Sequence, residues 1–351
     1  MMLHTNNTPF AAIGFEQWKP DGTPMACIAA RCSLVLHEGT VHYAGTQALV
    51  LADEFAGDPH REPMLKAGDL VPFRPGADIT VIGSAHARDP TREFEPAIRG
   101  GPLTKRLRLT GPRHWVHDGH WRLSEPEPVT EVPLSWRLTS GGRIVGDPDG
   151  DADPRNPIGA GIVHPLYTSE KLEIPAPQIS SAEHPMSLDP ARPADPEGFG
   201  PVPPWWQMRA RHAGTYDRAW QDTHHPLLPG DFDYRFYQVA PPGLQLAGYL
   251  APGMPVEGEG LLPGAEPFRF RLPDLMPFAR FSFTDGREVT ARLNLDGLHL
   301  DLREGVAFDL TWRAWIPSCP AFYRIDLELG RWDEVMAVGL PVPGAEGLEI
   351  A

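Results

Sequence analysis

A chain of 351 residues, 41% of them hydrophobic, can bury a sizeable core and exceeds what one core usually fills, so two domains are expected. Its 31 basic against 46 acidic residues leave a net charge of −15, a field that repels nucleic-acid phosphates and anionic lipid surfaces, so neither is expected as a partner. The 41 prolines and 35 glycines argue against long helices and predict strands and extended loops separated by many turns.

The N-terminal MMLHTNNTPFAAIGF has no basic region ahead of an apolar stretch, and no uninterrupted apolar window of about 18 residues follows, so the chain is expected to stay soluble in the cytoplasm. From Phe10 to about Leu138 apolar residues alternate in short runs, at Ile79 and Val81, at Leu107 and Leu109, and at Val132, Leu134, Trp136 and Leu138. These read as half-buried strands. Asp21-Gly22 and Asp118-Gly119 supply the positive-φ dipeptides of tight hairpins. Three cysteines, Cys27, Cys32 and Cys319, are too few and too irregularly spaced for a disulfide framework. Cys27 and Cys32, five apart on one strand, point to opposite faces. The basic run Lys105, Arg106 and Arg108 alternates with leucine and reads as the solvated face of a strand. His114, His117 and His120 in HWVHDGHW resemble a metal triad only until the Asp118-Gly119 turn is placed. That turn makes His117 and His120 neighbours and sends His114 to the other face, and two ligands are too few for zinc.

From 141 to 242 the period disappears and prolines recur every few residues, which predicts a long, ordered, irregular segment joining two β regions. Its acidic run Asp147 to Pro154 lacks the glycine and glutamate of a helix-loop-helix calcium site and reads as a solvated loop. The aromatics are its strongest feature. Trp205 and Trp206 need burial in the protein or in a partner, and Tyr216 and Trp220 fall at i and i+4 on a short helical turn starting at Gly214 or Thr215. Such a turn is too short to be stable alone, so it must dock through its rings, which are expected to be largely buried. Both uses remain open: stapling the segment to its own scaffold, or presenting a partner surface. The charges between the rings, Arg209, Arg211, Asp217, Asp231, Asp233 and Arg235, predict a polar network in which Asp231 and Asp233 accept from arginine forks. His224 and His225 stand beside acids, but no nucleophile elbow, phosphate loop, HExxH or cofactor motif accompanies them, so neither an enzyme nor a cofactor is expected.

Alternation returns after Leu244, in Phe268 and Phe270, in Leu298 and Leu300, and in Val306, Phe308, Leu310 and Trp312; Asp285-Gly286 and Asp296-Gly297 are further hairpin signals. Ile325, Leu327 and Leu329 give one more strand before a mobile tail. The stretches around Trp136 and Trp312 share the order Leu, Ser or Thr, Trp, Arg, a weak hint of duplication. The expected fold is mainly β: two β-sandwich-like lobes, 1–140 and 243–351, joined by a proline-rich ordered segment, 141–242, with one or two short helices.

Six stretches carry a family resemblance, in order over nearly the whole chain: TPFAA from Thr8, DLVPFRPGADITVIG from Asp69, SEPEP from Ser124, DPRNPIGAG from Asp153, GFGP from Gly198, and RARHAGTYDRAWQDTHHPLLPGDFDYRF from Arg209. Together they resemble the bacterial family called domain of unknown function 2169. APQIS at Ala176 to Ser180 departs from the family, whose members usually carry an asparagine-glutamate pair there. The resemblance implies a non-enzymatic adaptor, encoded beside type VI secretion genes, that loads an effector toxin onto the VgrG and PAAR spike. The ten tryptophans, Trp205 and Trp206 above all, suggest an alternative: a carbohydrate-binding or carbohydrate-active β-sandwich, which would need those rings facing solvent.

Overall fold

A computed structural model describes residues 3–167, 173–184, 186–318 and 321–331, and in these the regular structure is overwhelmingly strand. Among the described residues α-helix is confined to Gln207–Ala210 and Arg218–Thr223. The mainly β expectation holds.

The largest sheet runs in the order Gln245–Leu246, Ala77–Ile82, Asn294–Asp301, Val306–Pro317, Pro24–His37, Ala11–Trp18, with Thr40–Tyr43 beside the far end of Pro24–His37. Its spine is the antiparallel pair Pro24–His37 and Val306–Pro317, in unbroken register from Leu36↔Val306 to Met25↔Pro317. A second sheet orders Leu3–Asn6, Phe322–Gly330, Met276–Phe283 and Glu288–Arg292, and a third includes Leu103–Thr110, Ala97–Gly100, Pro255–Glu259 and Phe268–Arg271. Each of these sheets takes strands from both ends of the chain. The expected division into an N-terminal and a C-terminal lobe is therefore corrected: the two β zones interleave. Alternation fixes which face of a strand is buried but not its neighbour, and closing a longer loop adds only slowly to the entropy cost.

The two faces of the large sheet differ chemically. Ile28, Ala30, Val81, Leu300, Leu310 and Trp312 face the other sheets, where Phe281, Ile325, Leu107 and Val256 complete one apolar core. On the opposite face stand Arg31, Asp78, Thr80, His299, Asp309 and Arg313, none more than 9% exposed. Irregular chain roofs this polar face: Gln47 bonds to the Ser33 backbone, Asp69 meets Arg31, and Val239 donates its N–H to Asp78.

Several local expectations stand. Gly22 and Gly119 turn at positive φ between paired strands, Cys27 and Cys32 belong to different core clusters, and Phe322–Gly330 is the strand marked by Ile325, Leu327 and Leu329. Cys319 and the tail after 331 lie outside the described residues. Others are corrected. Asp296-Gly297 is no turn: it lies within Asn294–Asp301 at a register shift, and Asp296 is buried against Arg313. Trp136–Leu138 is a 3-10 turn capped by Ser135, whereas Trp312 is mid-strand, so the shared Trp-Arg pattern does not mark equivalent strands. Lys105 shares the buried face of Leu107 and Leu109, its ammonium held by Glu197 at 2.7 Å and the Pro242 carbonyl at 2.7 Å. The alternation was right there, and the partners overrode the charge.

Candidate functional site

The 141–242 segment is less irregular than its composition suggests, with strands at Ala160–Val163, Glu173–Pro175 and Ile179–Ser181, yet much of it has no ladder. Irregular backbone leaves carbonyls and N–H groups that must find partners. Side chains supply them. Asn156, fully buried, donates from Nδ2 to the carbonyls of Trp136 (2.8 Å) and Ser140 (3.0 Å) and to Thr139 Oγ1 (2.8 Å). Trp136 Nε1 donates to Pro201 O at 3.1 Å, and Trp206, 1% exposed, meets the Trp136 ring edge-on at 5.4 Å. Trp205 is different: 40% exposed, it stacks on Phe55 at 5.4 Å with His60 alongside.

The arginine network forms only in part. Arg209 is buried and gives its fork to carbonyls, Nη1 to Val202 O at 2.8 Å and Nε to Phe236 O at 3.0 Å, with the guanidinium over the Phe236 ring. Burial lowers its pKa to about 10. Asp233 does accept from an arginine, Arg235, at 2.7 Å, and also meets His212 Nδ1 at 3.0 Å. Since exposed Arg211 donates from Nε to His212 Nε2 at 3.2 Å, the imidazole accepts there and carries its proton on Nδ1, toward Asp233. Asp231 takes no arginine. It accepts from the N–H (2.9 Å) and hydroxyl (2.7 Å) of Thr215, which correct the expected fork.

That Thr215 to Asp231 link closes an arm. Within it the helix starts at Arg218, one turn later than expected, because Asp217 is the N-cap and accepts from Trp220 N at 2.8 Å. Tyr216 and Trp220 do meet, edge to face at 4.7 Å, but Tyr216 is 52% exposed and Trp220 only half-buried, which overturns their expected burial. The arm packs on itself: Trp220 also abuts His225 and donates from Nε1 to Leu227 O at 2.9 Å. The rest of its helix, Arg218, Ala219, Gln221, Asp222 and Thr223, is exposed.

Sequence reasoning missed the buried charge cluster beneath the roof. Arg31 bridges Asp69 (3.1 Å) and Asp309 (2.5 Å), Lys66 reaches Asp309 at 3.1 Å, Arg74 lies 3.4 Å from Asp78, and Arg313 pairs with Asp296. Arg74 also donates to Tyr237 O at 3.0 Å and Asp78 accepts from Val239 N at 2.7 Å, so the cluster pins the chain just after the arm. Burial raises the Asp78 and Asp296 carboxyls against the pull of Arg74 and Arg313. Burial also raises Asp309, but Arg31, Ser33 and Lys66 outweigh it and hold the carboxyl at about 2. Burial lowers His299 to about 3, and the neutral ring pairs with Thr80 Oγ1 at 2.9 Å. A cavity of about 30 Å³ among Arg31, Lys66, Asp78, Thr80 and His299 has room for roughly one or two waters. The only signal was the polar half of each alternation, in Asp309, Thr311 and Arg313, which looks the same whether water or irregular chain covers it.

The remaining candidates do not converge. His114 faces Pro175 across a strand pair, His117 packs on Trp121, and His120 lies 3.8 Å from Asp118. Asp149 and Asp151 are exposed while Asp153 is buried and paired with Arg155 at 2.6 Å. Among the described residues no group of three or more His, Cys, Asp or Glu is placed to hold a metal ion. Burial raises the Cys27 and Cys32 thiols, Cys32 to about 12, so neither offers a thiolate near neutral pH.

The clamps, Asp69, Arg74, Asp78, Asn156 and Arg209, all lie within the stretch matched by one family, described as an uncharacterized protein conserved in bacteria (DUF2169), over residues 21–313. The chain belongs to that family. Within that stretch these side chains fasten irregular backbone. No curated protein and no solved structure matches the chain. Among the described residues no helix is long and apolar enough to cross a membrane.

Proposed function

We propose that this chain is a non-enzymatic cytoplasmic adaptor that binds a type VI secretion effector and helps load it onto the VgrG and PAAR spike. The observation that carries the reading is the arm from Thr215 to Asp231. It is fixed at its base by paired hydrogen bonds, it packs its rings on each other, and it leaves Tyr216 and a helix face in solvent. A compact surface loop of this kind suits contact with another protein. The motif residues around it are spent on holding backbone, which favours binding by shape over bond chemistry. The carbohydrate alternative needs both Trp205 and Trp206 open to solvent, and Trp206 is 1% exposed.

Deleting the gene should abolish secretion of the toxin encoded beside it while other secreted components of the same apparatus are still released, and the purified chain should retain that toxin in a pull-down. Unchanged toxin secretion in the deletion strain would sink the reading.

A further inference from the structure

Ala77–Ile82, Asn294–Asp301 and Val129–Pro133 end close together: Ile82 is the last partner of Asp301, Leu302 donates its N–H to Ile82 O at 2.9 Å, Leu134 donates to Gly83 O at 2.9 Å, and Pro133 pairs with Ser84. Side chains at the ends of strands have no further strand to pack on. Here they leave an open groove of about 230 Å³. Its floor is Met64, Ile82 and Leu134, none more than 9% exposed, and its walls are the partly exposed Pro63 and Leu65 and the exposed Pro133. One charged side chain, Arg303, lines it, and that guanidinium is engaged, donating to Asp301 from Nε at 2.9 Å and from Nη2 at 2.6 Å. The charges at the rim are unequal. Arg303 and Arg137, which holds Glu62 at 2.7 Å, face Asp301, Glu62, Glu54 and Glu304. Asp301, and after it Glu304 and Glu54, hold the Arg303 pKa above its ordinary value.

We propose that this groove is a docking site for one or two apolar side chains of a partner polypeptide, presented beside Lys or Arg. Volume sets the kind of occupant. About 230 Å³ falls short of the roughly 300 to 1,000 Å³ of small-molecule pockets and suits a Leu or Phe anchor inserted from a protein surface. Charge sets the anchor's neighbours. An anionic occupant finds Arg303 already held by Asp301 and meets the exposed Glu54 and Glu304, whereas Lys or Arg beside the anchor has those two carboxylates as counter-ions. A second copy of this chain is a poor occupant, because each copy carries a net charge of −15 and the same acidic rim. The groove shares no residue with the arm from Thr215 to Asp231, so this proposal can fail while the adaptor reading stands, and the reverse.

The test uses the intact chain and synthetic peptides, so it does not depend on the toxin. One peptide has a Leu-Phe centre flanked on each side by Lys-Arg; a second has Glu in place of every Lys and Arg, and a third has Ser-Ser at the centre. In a chain with labelled Met, Leu and Ile methyl groups, the signals of Met64, Leu65, Ile82 and Leu134 should shift and saturate with the first peptide below about 1 mM. The second should need about tenfold more, and the third should leave these signals in place. Leu65→Asn keeps the size of one wall but makes it polar, and Glu304→Lys reverses a rim charge on an exposed turn. Each should weaken the first peptide by about three- to tenfold with the far-UV spectrum unchanged. Four results would overturn the proposal: methyl signals unmoved by about 5 mM of the first peptide; equal binding of the acidic peptide; parent-like binding by either variant; or the same methyl shifts produced without peptide by a concentration-dependent dimer in sedimentation.

Discussion

At the scale of single residues, this protein uses buried cations and amides as fasteners. Arg209 satisfies two carbonyls that belong to no ladder, so Arg209→Met should lower the unfolding free energy by about 3 kcal/mol, read from urea melts. A loss under about 0.5 kcal/mol would mean that water replaces the guanidinium at no cost. His299 makes a pH-dependent contribution whose sign follows from its pKa being lowered to about 3. The folded ring stays neutral while the unfolded one gains a proton below about pH 6.5, so stability should fall as pH drops from about 6.5 toward 3. His299→Gln should shrink the difference in stability between pH 7 and pH 5 by about 2 kcal/mol, and an unaltered difference would refute the assignment. Asp309, held at about 2, acts in a lower window: its contribution is complete above about pH 4 and lost as pH falls through 2.

At the scale of elements, the tryptophans of the 141–242 segment divide into scaffold and surface. Trp206 fills a buried cluster with Trp136 and Val202, so Trp206→Ala should cost about 3 to 5 kcal/mol. Trp220 is half-buried in an arm packed on itself, and its removal should cost only about 1 to 2 kcal/mol. If the arm contacts the effector, the pair Tyr216→Ala and Trp220→Ala should cut retention of that toxin by more than about tenfold while the chain stays folded at the assay temperature. Equal stability losses for Trp206→Ala and Trp220→Ala would contradict this division. The arm's place was half legible: the i, i+4 pairing of the rings was read correctly, but ring content alone does not say which partner covers a ring.

At the scale of the whole molecule, the interleaved sheets make the two ends of the chain interdependent. Val306–Pro317 is the central neighbour of Pro24–His37, and Phe322–Gly330 lies between Leu3–Asn6 and Met276–Phe283. A fragment of residues 1–140 therefore lacks the strand against which its longest strand pairs, and should show no cooperative unfolding. For the intact chain, far-UV circular dichroism and tryptophan fluorescence should report one coincident urea transition. A folded, cooperatively melting fragment would restore the two-lobe arrangement.

The sequence by itself determined the strand-rich class, the hairpins at Asp21-Gly22 and Asp118-Gly119, the opposed cysteines, and the family, because these rest on local periodicity, turn chemistry and ordered motifs. Tertiary structure alone decided which strands are neighbours, that Lys105, Arg31, Asp309 and Arg313 are buried, that Asp231 serves Thr215, and that Tyr216 faces solvent. The physical reason is common to all of these. A period states that one side of a strand is polar, but whether that side meets water or a roof of irregular chain depends on contacts between residues hundreds of positions apart, such as Arg31 and Asp309.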